Sequence, residues 1–140
     1  LSLYTRLDNC EDETTLTQFH NEMQDRFGNI PPEVEDLFTT VRCRWSAIKL
    51  GFEKMALKEN TLRCYFINKN DSPYFESDLF KNILQYLQTG TNKARLKQAG
   101  KNFLLVVEDI KGMEAMLRFL QQMERTVLPQ GTTALSAEAL

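Results

Sequence analysis

Glycine-rich phosphate loops are missing from these 140 residues: there is neither a G-x-x-x-x-G-K-[ST] stretch nor a G-x-G-x-x-G turn. Without one, no run of backbone N–H groups is set up to cradle a nucleotide, so this chain cannot by itself be the motor of an ATPase. Histidine is almost absent too. The one present, His20, would need an activated nucleophile and an orienting acid to serve as a catalytic base, and it reads instead as a partly buried packing residue. The three cysteines, Cys10, Cys43 and Cys64, are odd in number and widely spaced, which suits neither a disulfide framework nor a zinc site. They read as reduced packing residues of a cytoplasmic protein. No acidic cluster has calcium-loop spacing, so no catalytic residue, cofactor or metal is expected. No apolar run approaches the roughly 20 residues of a membrane span, and the first residues lack the charged and apolar regions of a signal peptide. The missing initiator Met is read as the mark of a fragment of a longer protein. Nor is there an excess of positive charge. With 17 basic against 19 acidic residues the net charge is −2, whereas a domain that clamps phosphate backbones carries a basic surplus.

What is present is hydrophobic patterning. A chain of this length fits one domain with a proper core, expected over residues 1–128, with 129–140 a flexible tail rich in Thr, Ser and Ala. Leu16, Phe19, Met23 and Phe27 recur at steps of three and four, predicting an amphipathic helix over about 13–27. The same period in Leu3, Tyr4 and Leu7 marks the end of an incoming helix, separated by the Asx-rich residues 8–12. Phe27 is expected to anchor an αα corner that Gly28 begins and the rigid pair Pro31-Pro32 completes. A second helix follows over about 32–50, its stripe formed by Val34, Leu37, Phe38, Val41, Trp45 and Ile48, and Gly51 closes it.

Beyond Gly51 the period shifts toward two. Residues 52–57 and 62–67 predict a hairpin with Asn60 available for a left-handed turn. A loop at 68–73 leads to a third helix carrying Leu79, Phe80, Ile83, Leu84 and Leu87 and ending before Gly90. A second hairpin over 93–98 and 102–107 precedes a fourth helix that Asp109 is placed to cap, with Met113, Met116, Leu117, Leu120 and Met123 turned inward. The expected fold class is therefore α+β: an αα corner and then two ββα units, giving a mostly antiparallel sheet with helices packed on one face.

Two surface clusters stand out. At 100° per residue, Glu22 and Asp25 point away from the apolar stripe of the first long helix, and Arg26 lies on the same outer flank. From spacing alone this is a solvated face with a Glu22–Arg26 pair worth about 0.3–0.5 kcal/mol; beside a rigid corner, the same mixture of carboxylates and guanidinium also suits directional docking. Lys93, Arg95 and Lys97 alternate along a strand with Lys101 nearby. That row reads either as an edge strand kept soluble by charge or as a surface for phosphate or an acidic protein. Aromatics do not interleave with it, so base stacking has little support there.

The run Leu3-Tyr4-x-Arg6-Leu7, then Glu22-x-x-Asp25-Arg26-Phe27-Gly28-x-x-Pro31, then Leu37 and Leu50-Gly51-Phe52 resembles the C-terminal domain of bacterial transcription-repair coupling factors in order and spacing. The resemblance implies a non-catalytic regulatory module within an ATP-dependent DNA translocase. Such a module packs on a UvrB-like module of the same protein, hides the surface that binds UvrA, and restrains the motor until RNA polymerase is engaged on DNA. Carried onto this sequence, the docking contacts fall on Glu22, Asp25 and Arg26, positioned by Phe27, Gly28 and Pro31. The alternative is an adaptor domain that binds nucleic acid or RNA polymerase through Lys93, Arg95, Lys97 and Lys101.

Overall fold

The computed structural model describes residues 2–69, 71–89 and 93–128, and the chain divides into two compact units, Leu1–Trp45 and Ser46–Leu140. The expected tail at 129–140 and Gly90 lie outside the described residues. No helix among the described residues is long and apolar enough to cross a membrane.

In the first unit, short polar side chains start the helices. The Ser2 hydroxyl accepts the Thr5 N–H ahead of α1 (Leu3–Asp8). The Asp12 carboxylate accepts the Thr15 N–H at 2.8 Å ahead of α2 (Glu13–Phe27). Each satisfies a donor that helix geometry leaves without a partner. Gly28, at φ +80°, then ends α2 with its N–H on the Gln24 carbonyl at 2.9 Å. The next helix, α3 (Pro32–Leu50), opens with proline at its first position, where a missing N–H costs nothing, and the Pro31 carbonyl accepts the Val34 and Glu35 N–H groups. Leu7, Cys10, Leu16, Phe19, Phe38 and Val41 are buried together, with Leu3, Met23, Val34, Leu37 and Trp45 packed around them.

Two expectations about this region need correction. Phe27 is 71% exposed rather than anchored: the chain turns away at Gly28 one residue later. Ile48 is 70% exposed: near its C-terminal end α3 buries Ser46, Ala47 and Leu50, which at 100° per residue lie on the opposite side of the helix from Val41.

The second unit holds a single four-stranded sheet. Strands β1 (Phe52–Lys58) and β2 (Thr61–Phe66) form one hairpin, and β3 (Ala94–Ala99) and β4 (Asn102–Val107) the other. The order is β1-β2-β4-β3 with every pairing antiparallel, so the two hairpins meet through β2 and β4. Glu59 and Asn60 both have positive φ, at 50° and 63°, the two-residue turn whose twist matches that of the strands it joins. A 3₁₀ turn at Pro73–Glu76 leads into α4 (Asp78–Thr89), and α5 (Met113–Val127) follows β4.

One sheet face is apolar and covered. Leu62, Cys64 and Phe66 of β2 and Leu105 and Val107 of β4 are buried on it. The Phe66 ring lies 5.5 Å from Phe80 of α4 and 5.3 Å from Phe103. Helix α5 joins the same layer through Tyr86, whose hydroxyl bonds Gln122 at 2.7 Å, and through Asn82, which donates to the Val127 carbonyl. The fold is thus α+β with helices on one face of an antiparallel sheet, as the periodicities require. Asp109 does not cap α5: Gly112 occupies that place without a side-chain bond, while Asp109, in a left-handed conformation at φ 65°, pairs with Lys93.

Candidate functional site

Among the described residues, the ion pairs of the first unit run between helices rather than along them. Arg6 of α1 donates to Glu22 of α2 at 3.0 Å, and its guanidinium lies 4.2 Å from the centroid of the Phe19 ring. The Glu22–Arg26 pair expected from i,i+4 spacing does not form. Glu22 takes the guanidinium from the neighbouring helix, already braced on Phe19, and Arg26 instead lies over the Phe27 ring, 5.4 Å from its centroid. Glu22, Asp25, Arg26, Phe27, Gly28 and Pro31 are all exposed. Asp25 and Arg26 enter no ion pair among the described residues.

Behind this surface, side chains of α2 and α3 fix the elbow. His20 Nε2 lies 2.8 Å from Glu35 Oε1, and its ring meets Phe38 edge-on. Arg42 grips Glu13 through two hydrogen bonds of 2.8 Å each. Arg44 reaches Asp8 at 3.3 Å. None of these partnerships was visible in the sequence, because each joins residues 15 or more positions apart.

The Arg42 hydrogen bonds hold the Glu13 carboxyl below the usual carboxylate range, and the Thr15 N–H does the same for Asp12. A folded-state pKa lowered in this way contributes stability that is present above the ordinary carboxylate range and lost as the pH falls through the folded value. Acid titration below about pH 4 will therefore weaken the first unit. Replacing Glu13 by Gln will lower stability at neutral pH by up to about 1 kcal/mol, the screened value of a largely exposed pair. Thermal melts followed by circular dichroism at a series of pH values will show the two proteins converging in acid; a constant offset between them would contradict the assignment.

In the second unit, two of the four basic residues singled out along the hairpin are engaged. Lys93 pairs with Asp109, and Arg95 donates to Glu108 at 2.7 Å. Lys97 and Lys101 are exposed and form no ion pair among the described residues. The Lys93 ammonium, with Lys111 farther off, holds the Asp109 carboxyl low. Cys10, Cys43 and Cys64 are buried thiols, and burial pushes the Cys10 thiol up. Among the described residues no three His, Cys, Asp or Glu side chains gather as metal ligands.

Comparison with known proteins bears on the family and the fold. A family model described as the TRCF domain matches residues 1–77. The chain is 31% identical over 101 residues to a transcription-repair-coupling factor of Rickettsia bellii, and 27% identical over 101 residues to that of Rickettsia typhi. Each match takes in 72% of this chain and 8% of the relative, so the chain spans only a small part of the length of those proteins. Among solved structures, the crystal structure of a C-terminal domain of transcription-repair coupling factor superposes with a TM-score of 0.64 at 18% identity, covering 89% of this chain and 78% of that one.

Proposed function

The chain belongs to the TRCF domain family, and from that premise we propose that it is a non-catalytic regulatory module docking, through the outer face of α2, on a UvrB-like module of its own full-length protein. Docking hides the surface that recruits UvrA and restrains an ATP-driven DNA translocase. RNA polymerase and DNA act on it indirectly, through the rest of that protein. The observation that carries this reading is Arg26: exposed, braced on the Phe27 ring and free of any carboxylate of the described residues. An arginine held in this way loses little freedom when its planar fork meets a partner carboxylate. Asp25 beside it, equally unengaged, supplies the opposite sign, so that the contact is directional.

The strength of the latch has to be modest. A restraint of a few kcal/mol can be shifted by partner binding, whereas a much stronger one would hold the assembly shut. Exposed mixed charges supply interactions of that order without a large apolar interface. Charge reversal at Arg26 (Arg26→Glu) in the full-length protein is expected to raise UvrA affinity and DNA-stimulated ATP hydrolysis, each by roughly tenfold, equivalent to about 1.4 kcal/mol of lost restraint. Unchanged values of both would overturn the proposal.

A further inference from the structure

The acidic total of the chain conceals a division. Residues 1–45 carry four basic and nine acidic side chains, net −5, whereas residues 46–140 carry thirteen basic and ten acidic ones, net +3. The sheet concentrates that surplus. On the face away from Phe66 and α4, strand register builds two rows across all four strands. One runs Ala56, Arg63, Val106, Arg95; the next runs Lys54, Tyr65, Leu104, Lys97. Lys58 extends the same face along β1. Neighbours within a row stand about 4.8 Å apart, and successive residues of one strand on this face roughly 7 Å apart. Lys54, Lys58, Arg95 and Lys97 are exposed, with Arg63 and Tyr65 half-buried. Of the five cations only Arg95 has an acidic partner among the described residues, Glu108.

We infer that this face binds single-stranded nucleic acid, with backbone phosphates on Lys54, Lys58, Arg63 and Lys97 and a base stacked on Tyr65. The aromatic platform decides the class of ligand. Tyr65 sits on a central strand, amid the cations, with the Lys54 ammonium 5.1 Å from its ring centroid. A sheet face with an aromatic residue on an inner strand and basic residues around it can take a splayed base and its flanking phosphates together. The apolar residues of the face favour this ligand over an acidic protein. Leu104 and Val106 are each only 2% exposed, so they offer a protein partner no open pocket for an anchoring side chain, and charges at a rim contribute little affinity by themselves. A duplex keeps its bases stacked inside and leaves Tyr65 without a task.

The surface lies wholly within the second unit and does not depend on the docking proposal. It also revises the reading of the basic hairpin: the phosphate contacts come from both hairpins, and the aromatic that β3 lacks is delivered by β2.

The test is fluorescence anisotropy of the 140-residue chain with labelled oligo-dT of about 12 nucleotides in about 20 mM salt. Affinity is expected to fall with rising salt at a log–log slope of about −2 to −3, each phosphate contact contributing roughly 0.7. Lys97→Gln and Arg63→Gln should each flatten the slope by about 0.7. Tyr65→Leu should weaken binding roughly tenfold, with Tyr65→Phe close to the parent. Lys97 is exposed, so its variant keeps the fold and the test stays decisive. Absence of binding at low salt, slopes unmoved in both charge variants, or equal or tighter binding of a duplex or a polyglutamate peptide would each overturn the inference.

Discussion

Replacing Gly51 by alanine will destabilise the second unit by roughly 2–5 kcal/mol, made up of left-handed backbone strain and overpacking. Gly51 ends α3 at φ +88°, with its N–H on the Ala47 carbonyl at 2.9 Å. A Cβ there would stand 2.1 Å from Cε1 and 2.6 Å from Cζ of Tyr74, far inside van der Waals contact. The ring cannot simply swing away. Its hydroxyl donates to the Leu50 carbonyl at 2.7 Å, and its face packs against Phe66 and Phe80. Burial also pushes the Tyr74 phenol well above the ordinary tyrosine range, so that bond persists into alkaline solution. The loss of unfolded-state entropy on Gly→Ala returns less than about 1 kcal/mol. For a chain of this size the midpoint of thermal unfolding should fall by roughly 3 °C per kcal/mol. A double-mutant cycle isolates the cause. In a Tyr74→Leu background, Gly51→Ala should cost only the backbone strain, about 1–2 kcal/mol. Strict additivity of the two changes would mean that the ring is not the obstacle.

The second large effect is expected at Phe66. Its ring, 2% exposed, meets Phe52, Tyr74, Phe75, Phe80 and Phe103 at centroid separations of 5.2–6.4 Å. These neighbours come from two strands, the 3₁₀ turn and α4, so the ring is where sheet and helix layer are joined. Phe66→Ala should cost about 3–5 kcal/mol, because the cavity it leaves is walled by other rings that cannot collapse into it. Phe66→Leu, which refills most of the volume, should cost distinctly less. Urea unfolding measures both. Equal losses for the two variants would show that edge-and-face ring geometry, rather than filled volume, carries the stability of this cluster.

Much of this architecture was legible in advance, and for reasons that can be located. Helix limits at 13–27 and 32–50 were marked by the Asx-rich residues 8–12 and by Gly28, Pro32 and Gly51, residues whose backbone or side-chain chemistry acts locally. The hairpins were marked by a period of two, and the first also by Asn60. What local chemistry does not encode is partnership. Whether the hairpins shared a sheet depended on β2 meeting β4, and nothing within either strand announces its neighbour. Arg6–Glu22, Arg42–Glu13 and His20–Glu35 were hidden for the same reason. At the candidate site, the exposed positions of Glu22, Asp25 and Arg26 followed from helical geometry, but the stacking of Arg26 on Phe27 did not, since Phe27 had been assigned to the interior by its place in the stripe. Asp109 shows the opposite error: a good capping residue near a helix start pairs instead with Lys93, just ahead of β3, and a glycine takes its place.

The whole-chain charge hides a division of the same kind. A total of −2 averages an acidic first third with a basic remainder, and electrostatic fields are made by surfaces rather than by totals. Tyr65 and Lys97, 32 residues apart in the numbering, come into one row, on either side of Leu104, only through the register of β2, β4 and β3.

The lone tryptophan gives the molecule a built-in optical label. Trp45 packs against the cluster formed by Leu7, Leu16 and Phe38, whereas three of the four tyrosines, Tyr65, Tyr74 and Tyr86, belong to the second unit. Indole emission excited at the red edge of its absorption therefore follows the melting of the helical elbow, and phenol absorbance follows the sheet. Two colours of one unlabelled sample can thus report whether the halves let go at one temperature or at two.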